Sequence, residues 1–84
     1  MNGLHERLMA LIVDAVVVVE QAGIQPTARQ VSRALGMHDE FAEAALLIAL
    51  DAGVVTAQRE VIGWEQGISA VYRSRRRPAV RVAP

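Results

Sequence analysis

Arginine carries all of the fixed positive charge in this chain, because none of the nine basic residues is lysine. A guanidinium stays protonated at physiological pH and offers a planar fork of donors that suits phosphate oxygens. We expect seven arginines to hold such a ligand: Arg29, Arg33, Arg59, Arg73, Arg75, Arg76 and Arg77. The chemistry that they predict is electrostatic contact with a polyanion, which positions a ligand more than it distinguishes one base from another.

The charges are divided along the chain although they sum to zero. Residues 1–58 hold three arginines against seven acidic residues, whereas residues 59–84 hold six arginines against two acidic residues. This division predicts an acidic body with a basic end. The arginine run at 75–77 also has a simpler interpretation, as a tail that only improves solubility.

Residues that commonly carry catalysis or bind metals are sparse. The chain has no cysteine, which excludes disulfides, thiol catalysis and cysteine-ligated zinc. One candidate metal cluster consists of His38, Asp39, Glu40 and Glu43, but Asp39 and Glu40 point in different directions from a helix and no second histidine lies nearby in the sequence. A metal site needs three or four converging ligands. Interaction with the helix dipole explains these carboxylates more simply. We therefore expect no enzyme, no metal and no other cofactor.

The 84 residues, of which 52% are hydrophobic and only three are aromatic, are enough for one small domain with an aliphatic core. We expect residues 1–73 to form this domain and residues 74–84 to form a basic, partly disordered tail, because that segment has no helical period. The apolar run from Leu8 to Val19 is interrupted by Asp14 and is too short to span a bilayer. The chain is thus predicted to be cytoplasmic, without a membrane partner.

The first predicted helix runs to about Gln21 and ends because Gly23 tolerates a left-handed conformation. One apolar stripe at helical spacing is expected to face the core: Leu4, Leu8, Leu11, Ile12, Ala15, Val18, Val19 and Ala22. A second stripe lies beside it and consists of Met9, Val13, Val16 and Val17. Either the rest of the chain covers this second stripe, or it is the contact surface of a homodimer through the first helix.

The segment from Pro26 to Val55 has the layout of two short helices joined by a tight turn at Gly36. Thr27 and Gln30 predict a capping box at the start of the second helix, and the third helix begins near His38 or Asp39. The inward side chains of the second helix are expected to be Val31, Ala34 and Leu35. Those of the third are expected to be Phe41, Ala44, Ala45, Ile48 and Ala52.

A β-hairpin is predicted after Gly53, since Val54 to Ile62 and Ile68 to Arg73 are rich in β-branched and aromatic residues and a glycine-containing turn separates them. Trp64 lies at the tip of this hairpin, where it either folds back on the core or contacts a partner. Tyr72 is expected to pack on the first or third helix. The fold class is therefore mainly α, with three helices and a small hairpin.

The stretch PTARQVSRALGM and the later ALDAGVV, set within three helices and a hairpin, resemble a bacterial winged helix-turn-helix DNA-binding domain over about residues 4–75. The matching elements are Thr27 to Gly36, then Leu46, Leu50, Gly53, Val54 and Val55. The resemblance implies double-stranded DNA as the partner and transcriptional regulation as the function. It also implies that the third helix lies in the major groove and the hairpin on the backbone or in the minor groove.

The third helix disagrees with that implication, because its exposed residues are acidic and apolar and no arginine, asparagine or glutamine lies between Asp39 and Gly53. Base reading needs such donors. Two functions remain open. In the first, the seven arginines grip the phosphate backbone and binding weakens steeply with salt. In the second, the domain binds a protein partner through the third helix, with Leu46, Leu47, Leu50 and Glu43 as the contact residues.

Overall fold

A computed structural model describes residues 3–63 and 67–75. The elements are α1 (Gly3–Gln21), α2 (Ala28–Leu35), α3 (Asp39–Asp51), β1 (Val55–Val61) and β2 (Ile68–Ser74). The two strands form an antiparallel hairpin, and the three helices pack against one another and against it. This is the layout of a winged helix-turn-helix, so the predicted fold class is confirmed.

The three helices end with the same hydrogen-bonding pattern. The N–H of a glycine and the N–H of the residue after it donate to carbonyls of the last helical turn. In the turn between α2 and α3, the N–H of Gly36 donates to the Arg33 carbonyl and the N–H of Met37 donates to the Ser32 carbonyl. Gly36 has a φ of 68°, which a side-chain-bearing residue adopts only with strain. The sequence therefore fixes this turn locally, as predicted.

The start of α2 follows half of the predicted capping box. The Thr27 hydroxyl accepts a hydrogen bond of 3.2 Å from the backbone N–H of Gln30. The backbone N–H of Thr27 donates instead to the carbonyl of Gln25. One free amide of the first turn is thus satisfied by a side chain, which is the usual reason for threonine at this position.

The hairpin is held to the helices at its second strand. In the strand register Val55 faces Ser74 and Val61 faces Ile68. On its other side β2 donates one more backbone hydrogen bond, from the N–H of Tyr72 to the carbonyl of Pro26 at 2.8 Å. The chain just before α2 therefore borders the hairpin and fixes its orientation relative to the helix-turn-helix.

The core is aliphatic, as the composition predicts, with one aromatic ring from Tyr72. Its members from α1 are Met9, Ile12, Val13, Ala15, Val16 and Val19. Those from the later elements are Val31, Ala42, Ala45, Leu46, Ala49, Val55, Val71 and Tyr72. Tyr72 is buried among the helices, which confirms its predicted placement.

The predicted orientation of α1 is wrong in part. Leu4, Leu11 and Val18 are exposed, although they belong to the stripe that was expected to face the core. Met9, Val13 and Val16 of the second stripe are buried instead, and Val17 is partly buried against the core. The other elements pack on this second stripe, so it is not available as the predicted homodimer surface.

Within the described residues, no helix combines the length and the apolar character needed to cross a lipid bilayer.

Candidate functional site

The solvent side of α3 is the most unusual surface among the described residues. Its apolar side chains are large and exposed, and carboxylates lie among them. We call this surface the α3 face, and it consists of Glu40, Phe41, Glu43, Leu47, Ile48, Leu50 and Asp51. Phe41 is 66% exposed and Leu47 is 59% exposed. Apolar side chains that are exposed together on one surface are a common feature of contact sites.

Helical geometry accounts for the composition of the α3 face. The buried side of α3 is formed by Ala42, Ala45, Leu46 and Ala49. At 100° per residue these four positions lie within one arc, and Leu47 lies close to the centre of the opposite arc. Three of the four buried residues are alanine, so the helix fills the core with little side-chain volume and leaves its larger residues outside.

This packing corrects the predicted faces of α3. Leu46 is fully buried and contacts the core, so it is not part of a partner-binding surface. Leu47, Leu50 and Glu43 are exposed as predicted. The expected inward positions Phe41, Ala44, Ile48 and Ala52 are exposed, and only Ala45 of that set is buried. The helix is rotated because Ala42 and Ala49, rather than the larger side chains, fit against the neighbouring elements.

The first turn of α3 is tied to α2 by a side-chain contact. The hydroxyl oxygen of the buried Ser32 lies 2.5 Å from an Asp39 carboxylate oxygen and 2.7 Å from the Arg29 carbonyl, so these two acceptors share its one hydrogen. His38 precedes the helix and makes no side-chain capping bond. Asp39 therefore positions α3 on α2, which the sequence interpretation of this residue as a helix-dipole carboxylate did not include.

Glu43 of the α3 face influences the buried tyrosine of β2. Burial raises the pKa of the Tyr72 phenol, and the negative charge of Glu43 raises it further. Glu43 is therefore close enough to Tyr72 for its charge to act on the phenol.

The selected arginines that the structure describes lie on different elements of the domain. Arg29 and Arg33 are exposed one helical turn apart on α2 and line the same shallow groove, together with Ile62 of the hairpin. Arg59 is exposed on β1, where it pairs with Ala70 in the register. Among the described residues, none of these three side chains takes part in an ion pair.

Arg73 is engaged within the protein. One of its terminal nitrogens donates to both carboxylate oxygens of Glu60, at 2.9 and 3.0 Å. Its other terminal nitrogen lies 3.9 Å from a carboxylate oxygen of Glu20 on α1. A phosphate would compete with two carboxylates for this guanidinium, so Arg73 contributes less to a basic surface than its position in the sequence suggests.

Arg75 lies at the base of the hairpin, at the end opposite its tip. Its backbone N–H donates to the Val54 carbonyl, and its side chain borders a groove formed by the start of α1 and the end of α3. His5 and Glu6 line the same groove. Arg76, Arg77 and Trp64 lie outside the described residues, as does most of the predicted tail.

Titratable side chains do not converge elsewhere in the part of the chain that is described. Within residues 3–63 and 67–75, no three histidine, aspartate or glutamate side chains are grouped so that they could hold a metal ion.

Comparisons with models of protein families, with curated proteins and with solved structures find no match to this chain. The case for function therefore depends on the surfaces of the domain.

Proposed function

We propose that this winged-helix domain is a protein-interaction module and that the α3 face is its binding surface. The observation that carries the proposal is the combination of four large exposed apolar side chains with carboxylates on a helix that has no basic residue. The partner that fits this surface presents apolar side chains bordered by lysine or arginine. We also propose that the protein acts in the cytoplasm.

Burial of the apolar residues supplies the affinity in this proposal. Each Å² of apolar surface removed from water contributes about 25 cal/mol before the costs of association. Phe41 and Leu47 are the most exposed apolar residues of the α3 face, so they are the expected anchors. Residues that dominate binding energy are commonly central and fully desolvated in the complex.

The carboxylates act mainly on partner choice and on the rate of association. Glu40, Glu43 and Asp51 border the apolar residues and are exposed. Charges at the rim of an interface steer oppositely charged partners and disfavour wrong ones, and salt screens this effect. The same charges oppose insertion of α3 into the major groove, which is lined by phosphates.

The proposal is tested by capturing proteins from a lysate of the source cells with immobilised wild type and variants. We expect Leu47→Ser and Phe41→Ser to lose the captured proteins while their helical content stays unchanged, because neither side chain contributes to the core. Val61→Ser removes a similarly exposed residue from β1, outside the α3 face, and is the matched control. Capture that is equal for all four proteins contradicts the proposal.

DNA binding with a regulatory role is the second candidate, and the exposed pair Arg29 and Arg33 beside the hairpin favours it. In this case the arginines hold the phosphate backbone while α3 stays outside the groove. Affinity for double-stranded DNA is then expected to fall steeply between two salt concentrations. It should also fall in Arg29→Gln/Arg33→Gln, which removes both exposed arginines of α2.

The contribution of the arginine run is measured in the same titrations. A full-length variant with Arg75→Gln, Arg76→Gln and Arg77→Gln separates the run from the arginines of α2. A loss confined to this variant assigns the activity to residues 75–77. An affinity that does not respond to salt, or that all variants retain, excludes this DNA-binding mode.

A further inference from the structure

A second apolar surface remains exposed on α1, away from the α3 face. Leu4, Leu11 and Val18 are 79%, 54% and 57% exposed, and we call this line of side chains the α1 stripe. The three residues are seven positions apart, which places them on one side of the helix. Leu8 borders the stripe on the side of the core and is partly buried.

The seven-residue spacing is the pattern by which two helices pack along their length. At 3.6 residues per turn, a line of positions seven apart drifts by about 20° per repeat, and a partner helix follows it by a slight left-handed crossing. The stripe covers 15 of the 19 residues of α1, which corresponds to about 21 Å between Leu4 and Val18. This length suits a second helix of the same size.

Charges beside the stripe are complementary when the second helix is an antiparallel copy. Arg7 and Asp14 are exposed and lie on the same flank of the stripe, away from the core. A two-fold axis at Leu11 places Leu4 opposite Val18 of the partner subunit. Measured along the helix, the same axis brings Arg7 to within about one residue of Asp14 of the partner subunit. A parallel pair places Arg7 at the level of Arg7 of the partner subunit instead.

We propose that two copies of this protein associate through the α1 stripe in an antiparallel arrangement centred on Leu11. The surface differs from the one that the sequence predicts, since Met9, Val13 and Val16 are in the core. The proposal does not depend on the function of the α3 face, and the dimer presents two such faces. Because the stripe is narrow, we expect a weak dimer that dissociates when the protein is diluted.

Single cysteines test the arrangement directly, because the chain has none of its own. A disulfide needs Cα atoms within about 7 Å. Leu11→Cys is expected to form a covalent dimer under mild oxidation, whereas Leu4→Cys and Val18→Cys do not when each is alone. A mixture of Leu4→Cys and Val18→Cys is expected to form the cross-linked pair. Ala10→Cys, exposed but about 100° around the helix from Leu11, is the matched control.

Sedimentation of the full-length protein over a range of concentrations tests the association itself. Leu11→Glu is expected to abolish the dimer and to keep the helical content. Arg7→Asp places two negative charges together in each of the two symmetry-related contacts between positions 7 and 14. It is expected to raise the dissociation constant of the dimer roughly three- to tenfold. The double variant Arg7→Asp/Asp14→Arg restores the pairing and should recover most of the affinity.

The proposal is overturned if the wild type stays monomeric at all concentrations, including the case in which another part of the chain covers the stripe. Efficient cross-linking of Leu4→Cys with itself, or of Ala10→Cys, shows a different arrangement and also overturns it. A dimer that Leu47→Ser disrupts and Leu11→Glu does not would place the contact on α3. Loss of protein capture by Leu47→Ser with an intact dimer leaves both proposals standing independently.

Discussion

The guanidinium of Arg73 lies across the hairpin on the carboxylate of Glu60, and Gln25 donates to the same carboxylate at 2.9 Å. Gln25 belongs to the connection between α1 and α2, so this contact joins three parts of the chain. The pairing holds the hairpin against the helices. It also pairs one of the seven predicted phosphate-binding arginines with carboxylates of the protein itself.

The Glu60 contact predicts a pH dependence of stability. The hydrogen bonds from Gln25 and from Arg73 lower the pKa of Glu60 below its ordinary value of 4.5. The folded state therefore favours the ionised form of Glu60. The contribution of this contact to stability is complete above pH 4.5 and is lost as the pH falls through the lower pKa that Glu60 has in the folded state. The difference in free energy of unfolding between wild type and Glu60→Gln should shrink in that acidic range.

Urea denaturation at a series of pH values measures this difference. Glu6→Gln removes a carboxylate of the same type from α1 and is the matched control. A difference between wild type and Glu60→Gln that is constant with pH would show that the contact does not form in solution.

The buried tyrosine predicts a second titration, at alkaline pH. Burial and the charge of Glu43 raise the pKa of Tyr72 above its ordinary value of 10.0, so the folded state favours the neutral phenol. Stability is therefore retained below pH 10.0 and is lost as the pH rises through the higher pKa that Tyr72 has in the folded state. Glu43→Gln should lower the pKa of Tyr72 only in part, because burial is the larger cause.

Absorbance of the phenolate gives this pKa without ambiguity, since Tyr72 is the only tyrosine. Glu40→Gln removes a carboxylate from the same helix and should leave the titration of Tyr72 where it is. An equal effect of both variants would indicate a general charge effect and not proximity of Glu43.

The Ser32 contact predicts that the helix-turn-helix is stabilised by a buried hydroxyl. Ser32→Ala removes a hydrogen bond to the charged acceptor Asp39 and is expected to cost about 1–2 kcal/mol of unfolding free energy. The better helix propensity of alanine offsets a few tenths of a kcal/mol. Ser69→Ala, on β2, loses only a 3.4 Å contact and is expected to cost less than about 0.5 kcal/mol.

A double-mutant cycle with Ser32→Ala and Asp39→Ala isolates the pair from the interaction of Asp39 with the helix dipole. Thermal or urea unfolding supplies the four free energies. Additive effects of the two substitutions would mean that the hydroxyl and the carboxylate do not interact in solution.

The local features of the fold were predictable because each depends on a few neighbouring residues. Gly23 and Gly36 end helices by adopting positive φ, and Thr27 caps α2, all of which can be inferred from residue type and spacing. The strand bounds follow from β-branched residues on both sides of a glycine-containing turn. These signals are sufficient for the order and the ends of the elements.

The rotation of the helices about their axes was not predictable from the same information. α1 carries two adjacent apolar stripes, and hydrophobic periodicity does not state which one the other elements cover. The structure buries Val13 and Val16 and leaves Leu11 exposed. The pairing of Arg73 with Glu20 was equally hidden, since the two residues belong to elements that are far apart in the sequence.

The two adjacent leucines of α3 give the most direct test of the helix orientation that defines the α3 face. Leu46 is 0% exposed, so Leu46→Ala leaves a cavity in the core and is expected to cost about 2–5 kcal/mol. Leu47 is mostly exposed, so Leu47→Ala is expected to change the free energy of unfolding by less than about 0.5 kcal/mol. The two substitutions remove the same atoms from the same helix, so each is the control for the other. Urea denaturation measures both, and a larger cost for Leu47→Ala would mean that α3 is rotated and that its acidic, apolar face belongs to the core.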